Sequence, residues 1–566
     1  MKNWRKRLPL LLAAIMLFSA LSGCAGGGKV STATPTDNPA SAEKLFDLTV
    51  CIAPNPETID PALNCTVDGA IMIQHFFEGL MKWKDDGEGN AVLTNGQAES
   101  YEVKKNDDGT LAYTFKLRDD IFWSDGKRVT AGDFVYSWRR LVDPDTAASY
   151  SYIADMVVNA NEIMAGEDEP SALGVSAADD TTFVVNITYN CPYFLEICAF
   201  PALLPVRQDV IEKSGDQWTF SPDTYLSNGT YKLSEWIQND KIVAVPNEYH
   251  YDAKNLGPNS ITFKFSDDEN AIYNGFKAGD YSFIESVPTE EAATLLANGT
   301  MTAANNLGTY FISFQTQSYP FDDARVRQAF TLAIDSRYIV ERVTQAGERP
   351  ATGFVPYGVY DTGGPGSDDF RTAGGNYWPA PVTDEAYKAN CDKARMLLAE
   401  AGYPSGKGFP AVEYLYNTDD RNETIAEALQ SMWSEELGVS VTLSNQDWAV
   451  VLQTCYDGDY NMAGSVWFAD YNDPSSFLDL WQTGGGNNIA HYSGTEFDSA
   501  IATAKSTSAP AERMKALHKA EDILIGRDYA LAPVFFYTYC FCVDPNLQGV
   551  YYNPLGYFFF GYARMS

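Results

Sequence analysis

The side chains able to do acid–base, nucleophilic or metal chemistry are scattered along this sequence without the spacings that such chemistry needs. Histidine occurs at 75, 250, 491 and 518 only. None of these stands in an HExxH or HxxxH arrangement, so a catalytic zinc ion has no helical pair of ligands to build on. No GxSxG turn presents a nucleophilic serine and no GxGxxG follows a strand. Gly402-Tyr-Pro-Ser-Gly-Lys407 is one residue short of a phosphate loop and lacks its Ser/Thr. The carboxylate pairs Asp119/Asp120 and Asp322/Asp323 could form acid–base dyads, but each falls at a turn or a helix start, where acids are favoured for structural reasons. Cys51, Cys65, Cys191, Cys198, Cys391, Cys455, Cys540 and Cys542 include no CxxC pair, which leaves zinc and dithiol redox chemistry without a spacing. Cys191 and Cys198 come nearest to a disulfide pair. Most of the others sit in apolar strings such as Leu48-Thr-Val-Cys51-Ile and read as buried thiols. The expectation is a protein that is no enzyme and needs neither metal nor cofactor.

What must position any site is a chain of 566 residues, too long for one ordinary core, so two or three lobes are expected. Apolar residues make up 45% and aromatics 13%, enough to fill such cores and still line a cleft with rings. The formal net charge of −35, with no basic stripe to counter it, excludes nucleic acid as a partner. At the N-terminus Lys2, Arg5, Lys6 and Arg7 precede an apolar run from Leu8 to Leu21. That run is short for a bilayer span, which needs about 20 residues, and has the form of a secretory signal. It ends in Leu21-Ser22-Gly23-Cys24, which resembles a bacterial lipobox; the resemblance implies cleavage of 1–23 and lipidation of Cys24. Residues 24–44, rich in Gly, Ser, Thr, Pro and Ala, read as a flexible tether with a reach on the order of 25 Å. A body this acidic has no electrostatic hold on an anionic membrane, so the lipid must keep it at the extracytoplasmic face of the cell membrane.

Beyond the tether, 45–53 predicts a buried strand and 66–80 a helix with Gly79 near its end. Strict alternation in 111–118 and 181–188 predicts half-exposed antiparallel sheet, making 81–199 a β-rich lobe. Residues 321–343 read as one helix with acids in its first turn, and 392–402 as a helix stopped by Gly402. Strand, helix and strand over 411–446 imply a parallel βαβ unit and a second α/β core. Small-molecule sites commonly lie in the cleft between two such cores.

Several segments, in order from about 46 to 545, together resemble the oligopeptide- and dipeptide-binding family of ABC importer receptors, solute-binding family 5. They are Asn55-Pro-Glu-Thr-Ile-Asp-Pro61, His75-Phe-Phe-Glu-Gly-Leu80, Phe122-Trp-Ser-Asp-Gly126 with Asp133-Phe-Val-Tyr-Ser-Trp138, Asn228-Gly-Thr-Tyr231, Phe321-Asp-Asp-Ala-Arg325, Leu398-Ala-Glu-Ala-Gly402, and Trp467-Phe-Ala-Asp-Tyr-Asn-Asp-Pro474. The resemblance implies an α/β fold, type II periplasmic-binding-protein-like, with two hinged lobes and an extra β-rich domain. Lobe I would comprise 45–80 with 200–308 and 535–566, the accessory domain 81–199 and lobe III 309–534, the chain crossing near Tyr310 and near Pro533. Hinge closure would enclose the ligand.

Peptide capture without side-chain preference needs strand-like backbone pairing and an anchor for the amine. By resemblance the anchor is Asp470, whose other reading is a turn or capping acid ahead of Pro474. Asn274 would bond peptide backbone and Val67 would supply a strand-like backbone edge. Tyr310, Phe311, Trp448, Trp467 and Tyr537 would line the cleft; as aromatics in apolar strings they read equally as core. The family's carboxylate anchors are replaced by Gly464, Cys455 and Asn422, and its disulfide by Phe468 and Gly308. The implied ligand therefore has a free amino end and a far end that is longer, differently held or uncharged. The implied partners are peptide-like solutes, ABC permease subunits and, through the lipid, the membrane, with a monomeric receptor. The same fold could serve a nickel chelate, a heme-like compound or an oligosaccharide. A pheromone-sensing lipoprotein and a secreted hydrolase are the readings from other classes.

Overall fold

The computed structural model of the protein describes residues 46–566 apart from 54, 57, 363, 365–367 and 380; the expected secretion signal over 1–23, the expected lipidation site Cys24 and the expected tether over 24–44 lie outside the described residues. The chain opens on β1 (Phe46–Ala53), in which Leu48, Val50, Cys51 and Ile52 are all buried. Val50, Cys51 and Ile52 are buried in succession, so this end of the strand is covered on both faces, whereas Asp47 is exposed at its start. Thr66 caps α1 (Val67–Phe76) by accepting from the Gly69 N–H. The helix stops at Phe76 rather than at Gly79. Gly79 instead permits a close approach, since a Cβ there would lie 2.4 Å from the Cys198 carbonyl oxygen.

The alternating segments form a separate four-stranded sheet. It contains β2 (Ala98–Lys105), β3 (Leu111–Leu117), then after α2 (Ala131–Val142) the strands β4 (Val175–Asp179) and β5 (Thr182–Ile187), in the order β2-β3-β5-β4. All pairs are antiparallel. The inward set Phe183, Val185 and Ile187 is buried, and Trp138 of α2 packs edge-on against Phe183 at 5.2 Å. Cys191 and Cys198, the expected disulfide candidates, are two separate buried thiols. Asp119 and Asp120 are taken by Arg128 and Arg118 in exposed ion pairs, so no dyad forms there.

The remaining chain adds β6 (Tyr231–Ile237), β7 (Lys241–Pro246), β8 (Pro258–Phe265), α3 (Glu269–Ala278), β9 (Phe283–Ile284) and β10 (Met301–Phe314). After it come α4 (Ala324–Leu332), α5 (Asp384–Glu400), β11 (Val412–Asn417), α6 (Asp420–Leu437), β12 (Val441–Gln446), α7 (Trp448–Asp457), β13 (Met462–Phe468), α8 (Pro510–Glu521) and β14 (Leu531–Val543). Together with β1 they build one eleven-stranded sheet, ordered β12-β11-β13-β10-β14-β9-β1-β8-β7-β6, with Arg349–Pro350 added beside β14. The βαβ unit is as expected, β11 and β12 being parallel around α6. The single helix expected over 321–343 is two. Asp323 accepts from the Arg325 N–H to start α4, and Asp335 accepts from the Tyr338 N–H to start a new turn after Leu332. Aspartate offers the backbone this local alternative and so restarts a helix as readily as it opens one.

β10 and β14, of 14 and 13 residues, pair along most of their length. Their ladder breaks between Asn305↔Thr538 and Thr309↔Phe536. Within the break the Leu307 N–H donates to Pro554 O, and Leu307 O accepts from the Ala469 N–H. Of the expected crossings, Tyr310 lies one residue beyond this break, and Pro533 lies at a second register shift, between Tyr310↔Phe535 and Phe311↔Pro533.

Candidate functional site

β13 carries the chain antiparallel to β10 and ends at Phe468, two residues short of Asp470. Each neighbour of Asp470 is tied down. The Tyr471 ring stacks on Tyr193 at 3.8 Å and 6°. The Asn472 N–H donates to Glu196 Oε2 at 2.8 Å, while the Asn472 side chain accepts from the Tyr360 N–H and donates to Gly358 O. Asp473 takes both terminal nitrogens of Arg513, at 2.7 and 2.8 Å, and accepts from the Ser475 N–H. The local turn acid is therefore Asp473. Asp470 donates its own N–H to Ser476 Oγ, and its carboxyl receives the Tyr152 hydroxyl at 3.1 Å. The residue is 8% exposed, and among the described residues no lysine or arginine pairs with it.

Burial pushes the Asp470 carboxyl up to about 7, against small opposing contributions from the hydroxyls of Tyr152 and Tyr150. An uncompensated carboxylate in such surroundings costs several kcal/mol. An arriving ammonium would bring both the missing charge and hydrogen-bond donors. The adjoining cavity, about 360 Å³, is lined by Tyr152, Asp155, Tyr193, Asp479 and Lys505 among others. Lys505 cannot supply the cation, because its Nζ lies 2.9 Å from Asp479 and 3.9 Å from Asp155, with Tyr189 beneath it. Even so, burial holds Asp479 up at about 6, and its Oδ1 has no partner among the described residues. A larger cavity, about 620 Å³, opens beside Trp83, Tyr251 and Tyr551. Its buried acid, Glu78, is already met by Lys82, His250, Tyr251 and Gln97 and so, unlike Asp470, has its cation. Among the described residues no group of three His, Cys, Asp or Glu could hold a metal ion.

The other expected residues divide. Trp467 is half-buried on β13 with its indole N–H buried and unpartnered among the described residues, as a ligand-facing donor would be. Tyr537 is half-buried between Phe468 and Phe535, with the Arg421 guanidinium 5.6 Å above its ring. Tyr310 is buried, stacked on Phe535 at 4.9 Å and bonded through its hydroxyl to Tyr414. Phe311 is core and not cleft: it is 2% exposed and packs edge-on against Phe354 and Trp481. Period-2 alternation along β10 sends it to the opposite face from Tyr310. Val67 offers no strand edge; it is the first residue of α1, where its backbone N–H is one of those a helix leaves unpaired. Asn274 is exposed on α3, whose cap is Asp268 and whose Ile272 and Tyr273 are buried. Trp448 is exposed at the start of α7. Tyr152, Tyr193 and Glu196 were not read from the sequence; they fall in short turns without periodicity, and the tyrosine pair 150/152 is the only local sign.

The departures have physical substitutes. A Cβ on Gly464 would lie 2.4 Å from the Tyr414 hydroxyl and 2.6 Å from that of Tyr310, so the tyrosine pair fills the space. Gly308 faces Phe468 in register, and a Cβ there would sit 2.4 Å from the ring, so the ring covers the strand where a disulfide would have joined it. Asn422 bonds Asn417 and Asp419 within its own helix start, while the preceding Arg421 pairs with buried Glu348.

Compared with known proteins, residues 93–489 match the model of the bacterial extracellular solute-binding proteins, family 5 Middle. The periplasmic oligopeptide-binding protein OppA of Salmonella typhimurium is 34% identical over 531 residues, 92% of each chain. The solved murein tripeptide binding protein MppA of Escherichia coli superposes with a TM-score of 0.78 at 32% identity, over 92% of this chain and 99% of that one. The Haemophilus influenzae OppA complex with RPPGFSPFR gives 0.77 at 32%, with the same coverage.

Proposed function

The chain belongs to family 5 of the bacterial extracellular solute-binding proteins, with the two-lobed α/β fold of that family, and from this premise we propose that it captures peptides by their free amino end for an ABC importer. The observation that carries the reading is Asp470: a buried carboxyl with a tyrosine hydroxyl as its donor, no lysine or arginine pairing with it among the described residues, and Tyr471, Asn472 and Asp473 beside it committed to other partners. An α-ammonium is the group that completes it. The relatives' named ligands, oligopeptides and a murein tripeptide, are of that chemistry.

In this reading 45–80, 200–308 and 535–566 form one lobe, 309–534 the other and 81–199 an accessory domain. The interrupted β10/β14 ladder is where they hinge. The closed receptor docks as a monomer on permease subunits. Cleavage after Gly23 and lipidation of Cys24 hold it to the membrane; among the described residues no helix is long and apolar enough to cross one. Cys24→Ala should release the protein into the medium or periplasm, as a fractionation blot would show.

Calorimetry with matched free and N-acetylated peptides tests the binding reading. Acetylation should weaken binding by about 10- to 150-fold, the range for a hydrogen bond to a charged group. Asp470→Asn should abolish the difference. Equal affinity of the wild-type protein for both peptides would remove the role of Asp470.

A further inference from the structure

A second carboxyl is left in the condition of Asp470, and the reading above makes no use of it. Glu285 follows β9, which pairs with β1 and β14. Its Oε2 accepts from the Tyr539 hydroxyl at 3.0 Å. Its Oε1 is buried with no hydrogen-bond partner among the described residues. No lysine or arginine pairs with it there, and the charged group felt most strongly is another acid, Asp68 in the first turn of α1. Burial raises the Glu285 carboxyl well above the usual carboxylate range.

The two carboxyls lie against one turn. Tyr557 is close enough to Asp470 for that charge to raise its hydroxyl. One residue earlier, a Cβ on Gly556 would sit 2.9 Å from the Tyr539 ring and 3.3 Å from a Val67 methyl, so the glycine lets the turn pass close to both. Tyr539 packs edge-on to Phe558 at 5.2 Å and holds Glu285. In the same turn the side-chain N–H₂ of Asn553 is buried without a partner among the described residues. Protonation can be accommodated only on the Tyr539 side, at Oε2, so neutral or charged the acid leaves Oε1 unpartnered among the described residues. A cation would satisfy Oε1 and also offset the nearby Asp68.

We propose that Glu285 receives a second positive charge of the ligand, the side-chain ammonium or guanidinium of a basic residue, so that this protein selects basic peptides. The inference rests on the peptide reading and deepens it. The apolar stem of lysine or arginine would lie along Tyr539 and Val67 while its head reaches the carboxylate.

The test is calorimetry on the intact protein with tetrapeptides of alanine that carry lysine or norleucine at each position in turn, all with a free amino end. At one position lysine should bind at least about tenfold more tightly than norleucine. Glu285→Gln should erase that preference and leave the norleucine peptides unchanged, which also shows that the variant is folded. Equal binding of lysine and norleucine peptides at every position of the wild-type protein overturns the proposal, as does a lysine preference that survives Glu285→Gln. N-acetylated versions separate the two readings: their loss of binding alongside lysine–norleucine equality would leave the Asp470 anchor standing and Glu285 without the role.

Discussion

At the scale of the residue, Asp470 pits stability against binding. Burial holds its carboxyl at about 7, against an ordinary value of 3.8. A carboxyl raised on folding binds a proton more tightly folded than unfolded, so it costs no stability at low pH and destabilises progressively as pH rises from about 4 to 7. Asp470→Asn should therefore stabilise the empty protein at pH 8, on the order of 2–4 kcal/mol, and leave it nearly unchanged at pH 4. Thermal melts at both values check this. Ligand binding runs the other way. The ammonium needs the carboxylate, so affinity for free-amino peptides should be greatest between the two ionisations, at about pH 7–8, and fall toward tenfold per unit below it. Calorimetry across pH 5–8 would follow the decline. Burial also holds Glu196 at about 7 and Asp479 at about 6, so the part of the pH dependence that disappears in Asp470→Asn is the part owed to Asp470.

At the scale of the element, β10 and β13 show how a sheet takes over from lost anchors. Gly464 leaves room for the hydroxyls of Tyr310 and Tyr414, 3.0 Å apart. Gly464→Ala should push into that rigid pair and cost about 1–3 kcal/mol, read from a denaturant melt. These strands also mark how far pattern reading reaches. Alternation in 181–188 names its inward side chains because one face is solvated and the other packed. In β10 the run from Leu307 to Phe314 is buried throughout, so alternation of polarity vanishes, and the sequence cannot say that Tyr310 and Phe311 face opposite ways. The 321–343 segment hides its break for a related reason: Asp335 is an unremarkable polar position until its side chain turns back to cap.

At the scale of the whole molecule, the β-rich segment is held to the Asp470 segment by the Tyr193–Tyr471 stack and the Glu196–Asn472 bond. Arg513 serves both sides, paired with Asp473 and lying 5.9 Å from the Tyr193 ring. If the proposed closure encloses the cavity, it should depend on these contacts between the two segments. Tyr193→Ala should speed peptide release, by roughly 2- to 12-fold if only the stacking contribution of about 0.5–1.5 kcal/mol is lost, with little change in the association rate. Stopped-flow displacement would separate the two rates.

The amino-acid order by itself determined the class of molecule: the absence of catalytic spacings, the α/β and antiparallel segments, the family, and the acid at 470 within its motif. These are properties of local spacing, and local spacing is what a chain carries before it folds. Only the tertiary structure decided which acids go without a cation. Asp470 and Asp473 stand three apart in one turn, yet Arg513, forty positions beyond Asp473, pairs with it and leaves Asp470 to the Tyr152 hydroxyl, 318 positions away. Glu285 reads as any acid after a short strand until folding sets it against Tyr539, 254 positions on, with Oε1 unpartnered among the described residues. Whether a carboxyl is solvated, paired or waiting depends on distant segments meeting around it, and no spacing rule records that meeting.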